Sequence, residues 1–178
     1  DSNGTQSNQL DGAPINAGTY WVEAYAPETS STASATSQAV RFHIEKAPLC
    51  IRAKDKTITY GETLSDNGAE INGFVNNENE AVLLGLNYAF NYAQFSDIGT
   101  YTIIPMGAQA ENYKITYENG VLNVQPKPVE IKWNSESIFY YDNTPKSVTA
   151  EAIGAVNGDA LTAIIEDGSR TEIGEYTA

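Results

Sequence analysis

His43, Cys50 and a set of 23 aspartates and glutamates are the groups with which this chain of 178 residues would have to do acid–base, nucleophilic or metal chemistry. In Val40-Arg41-Phe42-His43-Ile44, Phe42 and Ile44 share one face of an alternating strand, and His43 points the other way with Arg41 and Glu45. A Ser-His-Asp arrangement needs its base beside a nucleophile on a strained turn, and no Gly-x-Ser-x-Gly occurs. A histidine on the polar face of a strand is a solvated side chain. Cys50 is the sole cysteine, so it has neither a partner for an internal disulfide nor a CxxC clamp. Alternating with Leu49 and Ile51, it reads as a small strand residue. Asp66, Glu78, Glu80, Asp142, Asp159 and Asp167 fall in turns, where Asp, Asn and Gly are favoured by the backbone itself. Spacing leaves a carboxylate pair for glycoside hydrolysis open, but no residue is singled out as catalytic and no cofactor is expected.

Two patterns have binding chemistry. Asn76, Asn77, Glu78 and Glu80 cluster in one segment, and Asp159 occupies the matching segment further on. Calcium loops place oxygen ligands at every second residue, as Asn77-x-Asn79 and Glu78-x-Glu80 do, but no Gly-centred twelve-residue loop follows. The expectation is a solvated turn, and no metal ligand is assigned. The second pattern is Gly18-Thr19-Tyr20-Trp21-Val22-Glu23-Ala24-Tyr25. On an unbroken strand Tyr20, Val22 and Ala24 take one face, and Trp21, Glu23 and Tyr25 take the other. An exposed tryptophan beside a tyrosine and a carboxylate can stack on a sugar ring; a neighbouring module can equally cover it. Trp21, Glu23 and Tyr25 are the candidate ligand face.

The elements that position these residues have a period of two, not 3.6. Strands are expected at Leu49–Ala53, Thr57–Tyr60, Ile71–Phe74, Leu86–Tyr92, Thr100–Ile104, Tyr113–Tyr117 and Val121–Val124, with Asn119-Gly120 as a hairpin turn. The expected fold is all-β, a tandem array of antiparallel immunoglobulin-like sandwich modules. The one helix candidate, Glu78–Leu84, makes a β-grasp module with one short helix the alternative. Ten Lys and Arg against 23 Asp and Glu set the net charge at −13. That charge repels nucleic acid and anionic lipid, and no apolar run is long enough for membrane insertion as a helix.

The chain repeats itself. Ile51 and Tyr60 recur as Ile131 and Tyr140, 80 residues on, and Gly73-Phe74-Val75-Asn76 recurs as Gly154-Ala155-Val156-Asn157, 81 residues on. Ala17-Gly18-Thr19-Tyr20 matches Ile98-Gly99-Thr100-Tyr101, and Phe42-His43-Ile44 matches Leu122-Asn123-Val124. Asp11-Gly12 with Tyr20 recurs as Asp167-Gly168 with Tyr176, 156 residues on. Residues 1–46 therefore read as the closing strands of one repeat, 47–126 as a complete repeat, and 127–178 as the opening strands of a third. Short proline-bearing linkers, Glu45–Pro48 and Gln125–Pro128, join them as a semi-rigid string.

Tyr60-Gly61-Glu62, Gly73-Phe74-Val75-Asn76, Asp97-Ile98-Gly99-Thr100-Tyr101-Thr102-Ile103 and Asn112 to Val124 together resemble the MBG repeats of bacterial adhesins, in the type marked by Tyr-Gly-x. The flanking segments are similar to a sister type, although Tyr141 stands where that turn has its glycine. The resemblance implies secreted, extracellular stalk repeats on the bacterial cell surface, with no catalytic residues to carry over; with neither a leader pattern at Asp1 nor a sorting signal after Tyr176, the chain reads as an excerpt from a longer one. Neighbouring repeats are the expected partners, with a glycan or host protein as a second class. The odd phase of the two ends adds an expectation of strand-swapped self-association.

Overall fold

The computed structural model describes residues 10–65, 68–133, 138–166 and 168–175, so Asp66, Asp167 and Tyr176 lie outside the described residues. Among the described residues all of the regular structure is strand apart from one 3-10 turn. The chain divides into two compact units: Asp1–Asp55 with Asp66–Phe90 and Thr102–Val121, and Lys56–Ser65 with Asn91–Tyr101 and Leu122–Ala178.

The first unit begins with β1 (Gly18–Val22) and β4 (Val40–Ile44), which pair antiparallel with Gly18 opposite Ile44. Between them the short β2 (Tyr25–Ala26) and β3 (Ala35–Thr36) pair with each other. After two residues the chain enters β5 (Ala47–Ala53), the central strand of a three-stranded sheet. One neighbour of β5 is β7 (Ala69–Asn72), antiparallel; the other is β10 (Tyr113–Glu118), parallel. β8 (Asn87–Phe90) pairs antiparallel with β9 (Gly99–Met106), Asn87 opposite Met106. In the second unit β6 (Lys56–Thr59) runs parallel to β11 (Gly120–Gln125) from Leu122 to Gln125. There β12 (Glu130–Trp133) pairs antiparallel with β14 (Ala150–Ile153), and β13 (Lys146–Ser147) with β15 (Ser169–Arg170).

Buried apolar side chains come from β5, β6, β9, β10 and β11: Leu49, Ile51, Ala53, Ile58, Ile103, Tyr113, Leu122 and Val124. Their alternation along β5 and β11 is the period-two signal made physical, since every second side chain of a strand meets the same face. The all-β class is as expected, and β5 to β11 match the seven expected strands within a few residues. The helical alternative is not. Glu78–Leu84 forms only a 3-10 turn at Glu80–Val82, capped by Asn79, whose side chain accepts from the Ala81 N–H. Seven residues are too few to stabilise a helix.

Two features depart from a purely antiparallel reading. The ladders β5–β10 and β6–β11 are both parallel, and both keep a difference of 66: Ala47 faces Tyr113, and Thr59 faces Gln125. The second departure explains the first. Asn119-Gly120 is not a hairpin turn: β10 and β11 are not paired with each other, and Gly120 is absent from the residues with positive φ. It is a corner, passed in step by residues 53–55 beside it. A Cβ on Gly120 would lie 2.6 Å from the Ala53 carbonyl oxygen and 2.9 Å from that of Lys54. Glycine is needed here for close backbone approach, one of the uses of glycine at a strand bend. The Asp55 carboxylate completes the corner by accepting from the Val121 N–H at 2.9 Å.

Gly120→Ala should therefore destabilise the protein although its backbone dihedrals suit alanine. Relieving the overlap moves one corner strand, at an expected cost of about 1–3 kcal/mol, the range for overpacking a fitted site. Urea unfolding followed by far-UV circular dichroism measures it, and an unchanged midpoint would remove the steric account.

Candidate functional site

The recurring tyrosines hold turns. Tyr101 is half-buried rather than enclosed; its hydroxyl donates to the Asp97 carbonyl at 2.7 Å, and its ring meets Tyr92 edge-on at 5.1 Å. Tyr20 repeats the geometry, donating to the Asn16 carbonyl at 2.9 Å. In both, Gly-x-Tyr enters a strand and the phenol reaches back four residues to a carbonyl that no ladder uses.

Tyr60-Gly61-Glu62 has a different task. The Glu62 N–H donates to the Thr59 carbonyl at 3.0 Å, and the Glu62 carboxylate accepts from the Thr59 N–H at 2.7 Å. Gly61 is at φ 87°, the left-handed backbone that the third position of a type II turn requires. A Cβ there would also meet the Val156 methyl group at 3.1 Å. The Tyr60 ring packs edge-on against Phe95, with centroids 6.1 Å apart, and Gln94 donates to the Gly61 carbonyl at 3.1 Å. Its hydroxyl is hydrogen-bonded to the side chains of Asp159 and Asn157. Desolvation of the ring, then the bond to the Asp159 carboxylate, raises the Tyr60 pKa. This turn thus seats the loop Val156–Asp159, which belongs to the following sequence repeat.

That loop has the same form in both repeats. Asn76 and Asn77 lie at φ 55° and 58°, Asn157 and Gly158 at 55° and 78°. Glu78 and Asp159 each donate their N–H to the valine carbonyl three residues earlier at 3.0 Å. The asparagines are thus explained by left-handed turn geometry, which Asn tolerates. The Glu78 carboxylate accepts from Tyr113 Oη at 2.5 Å, while Tyr113 Oη in turn accepts from the Val75 N–H at 3.1 Å. Among the described residues no group of three or more His, Cys, Asp or Glu side chains converges as metal ligands would. A second junction lies in the first unit, where Asn112 Oδ1 accepts from the Ala17 N–H at 2.9 Å and its amide donates to Asn16 Oδ1 at 3.0 Å.

Trp21, Glu23 and Tyr25 are all exposed, the tryptophan at 57%. They do not share one strand: β1 ends at Val22, and Tyr25 begins β2. Trp21 stands opposite Arg41, and Tyr25 opposite Thr36. His43 sits at 2.9 Å from Thr19 Oγ1 across the ribbon and at 3.5 Å from the Glu45 carboxylate. A concavity of about 740 Å³ lies beside Tyr113, lined among others by Lys46, Glu78, Leu84 and Glu111. Its acidic Glu78 is already engaged by Tyr113.

Where Tyr141 replaces the glycine of Tyr-Gly-x, it stays out of the left-handed region, and Asn143 takes it at φ 58°. Asp142 organises that turn: its carboxylate accepts from Thr144 N at 3.0 Å, from Thr144 Oγ1 and from Lys146 Nζ, both at 2.5 Å. Those bonds, led by Lys146, lower its pKa from 3.8 to about 2.

The described residues are all-β. A family model described as MBG domain (YGX type) matches residues 49–123, and this stretch is an MBG domain of that type. MBG domains are a family of repeat domains, not of enzymes. No curated protein and no solved structure matches the chain. The hydroxyl partners of Tyr60 were not legible in the sequence, because Asp159 lies a full repeat away; the shared Val-Asn-x-acid pattern was the available signal.

Two titrations follow from the site. A raised Tyr60 pKa means that folding favours the protonated phenol, so its contribution is present below pH 10 and is lost as pH rises above it. The protection factors of the amides at residues 156–159, taken against the intrinsic exchange rate at each pH, should fall above pH 10, and Tyr60→Phe should give the lower protection already at pH 7. For Asp142 the sign is opposite: a lowered pKa contributes above pH 3.8 and is lost as pH falls toward 2. The carboxyl carbon resonance of Asp142 should titrate with a midpoint near 2, and a midpoint at the ordinary aspartate value would dissolve the three-bond turn.

Proposed function

We propose that this chain is a set of non-catalytic spacer repeats in the stalk of an adhesin-like protein on the bacterial cell surface. The observation that carries the reading is the use made of the Tyr-Gly-x signature. Its glycine leaves room for Val156, and its phenol holds Asp159 and Asn157, so the residues that mark the family serve to join successive repeats. Such a joint restrains the angle between modules, which a spacer needs and a free-standing binding domain does not. The acidic charge fits an extracellular location, where it keeps a long array soluble. On this reading the partners of each repeat are the repeats before and after it.

Direct binding of a glycan or host protein is the second reading, favoured by the exposure of Trp21 and Tyr25 beside Glu23. The two separate in one experiment. The chain, carrying Trp133→Phe so that Trp21 alone reports, is titrated with a panel of glycans and extracellular-matrix proteins while tryptophan emission is followed. The spacer reading expects no saturable change. A saturable response that Trp21→Ala abolishes would replace it with ligand binding.

A further inference from the structure

One stretch of the chain is built almost wholly of small side chains and hydroxyls: Pro27-Glu28-Thr29-Ser30-Ser31-Thr32-Ala33-Ser34-Ala35-Thr36-Ser37-Gln38. Seven of these residues are Ser or Thr, and no apolar side chain among them is larger than proline. Nothing here can fill a core, so the exposure of every residue from 27 to 38 follows from composition. Residues 27–31 correspond, 81 residues on, to 108–112, which connect β9 to β10 and contain no Ser or Thr. The position is thus a loop between strands in both repeats, and the hydroxyls are particular to this one.

The hydroxyls divide by the hydrogen bonds they make. Thr29 and Thr32 close a tight turn. The Thr29 N–H donates to the Thr32 carbonyl at 2.9 Å, the Thr32 N–H donates to Thr29 Oγ1 at 3.1 Å, and the two hydroxyls lie 2.7 Å apart. Ser37 is engaged twice, accepting from the Ala24 N–H at 2.9 Å and donating to the Gln38 carbonyl at 3.0 Å. Ser30 and Ser31 form the tip of the turn, and their hydroxyls have no partner among the described residues.

We propose that Ser30 and Ser31 are sites of O-glycosylation. Ser- and Thr-rich segments carrying proline are the composition of O-glycosylated stalks, and the hydrogen bonds of the turn distinguish the free acceptors within it. No aromatic or branched aliphatic side chain between Pro27 and Gln38 obstructs the approach of a glycosyltransferase. The donor is a sugar activated on a phosphate or diphosphate. The serine oxygen attacks the anomeric carbon, the bond from that carbon to the phosphate oxygen breaks as the glycosidic bond forms, and the hydroxyl proton passes to the base of the transferase. The phosphate leaves with the electron pair, so no oxidant or reductant is needed. A bulky, solvated glycan on this turn covers exposed backbone of the kind that proteases cut, while Thr29 and Thr32 continue to hold the turn.

Mass spectrometry of the protein purified from the cells that make it is the test. Cleavage after glutamate releases residues 29–45 in one piece, because Glu28 and Glu45 bracket them. That peptide should be heavier by whole sugar residues, with electron-transfer fragmentation placing them on Ser30 and Ser31 and alkaline β-elimination removing them. The double variant Ser30→Ala, Ser31→Ala, made in the same cells, should yield the peptide without sugar and an unchanged circular dichroism spectrum. A bare peptide from the parent protein, a gain of phosphate in place of sugar, or sugar that remains on residues 29–45 of the variant would each overturn the proposal.

Discussion

The close approach of Gly120 to the carbonyl oxygens of Ala53 and Lys54 governs this fold. A side chain there would push apart two segments that must turn a corner at the same level. Because they turn together, the register that begins with Ala47 opposite Tyr113 is the one that ends with Thr59 opposite Gln125. The buried residues Leu49, Ile51, Ala53 and Ile58 lie on the first segment, and Tyr113, Leu122 and Val124 on the second. Loss of register by one residue would turn every one of them to the other face.

The second organising element is the tyrosine hydroxyl. Tyr20 and Tyr101 each spend it on a carbonyl four residues back, Tyr113 on Glu78, and Tyr60 on Asp159 and Asn157. The ring fills space that no aliphatic side chain would fill as far from the backbone, and the phenol then satisfies a polar group at the end of that reach. With one cysteine and no disulfide, such pairings do the fastening that covalent bridges do in other small β modules.

What could be read from the sequence follows from how local each signal is. Strands β5 to β11 were legible because alternation is written within four to eight residues. The corner was misread because Asn-Gly is the strongest short hairpin signal, and only the distant carbonyls of Ala53 and Lys54 distinguish the two uses of glycine. The parallel ladders were hidden for the same reason: direction of pairing is a property of the chain path. Trp21 and Tyr25 are exposed, but so are Val22 and Ala24, which alternation put on the other face, and the break after Val22 was not legible, since Glu23-Ala24 carries no glycine or proline to mark it. Asn76 and Asn77, weighed first as oxygen ligands, are accounted for by positive φ.

The parallel alignment of the first and last segments of the middle repeat has a mechanical consequence. A pull applied at Ala47 and Glu118, opposite ends of the β5–β10 ladder, would slide the two strands past each other lengthwise. The slanted, evenly spaced hydrogen bonds of a parallel ladder then share the load at once in shear, rather than opening one after another as a hairpin unzips. Forced unfolding is limited by the rate of that rupture and not by equilibrium stability. A ladder of modest thermodynamic stability can on this geometry resist a large transient force, with Gly120 and the Asp55–Val121 bond fixing the end of the β5–β10 ladder.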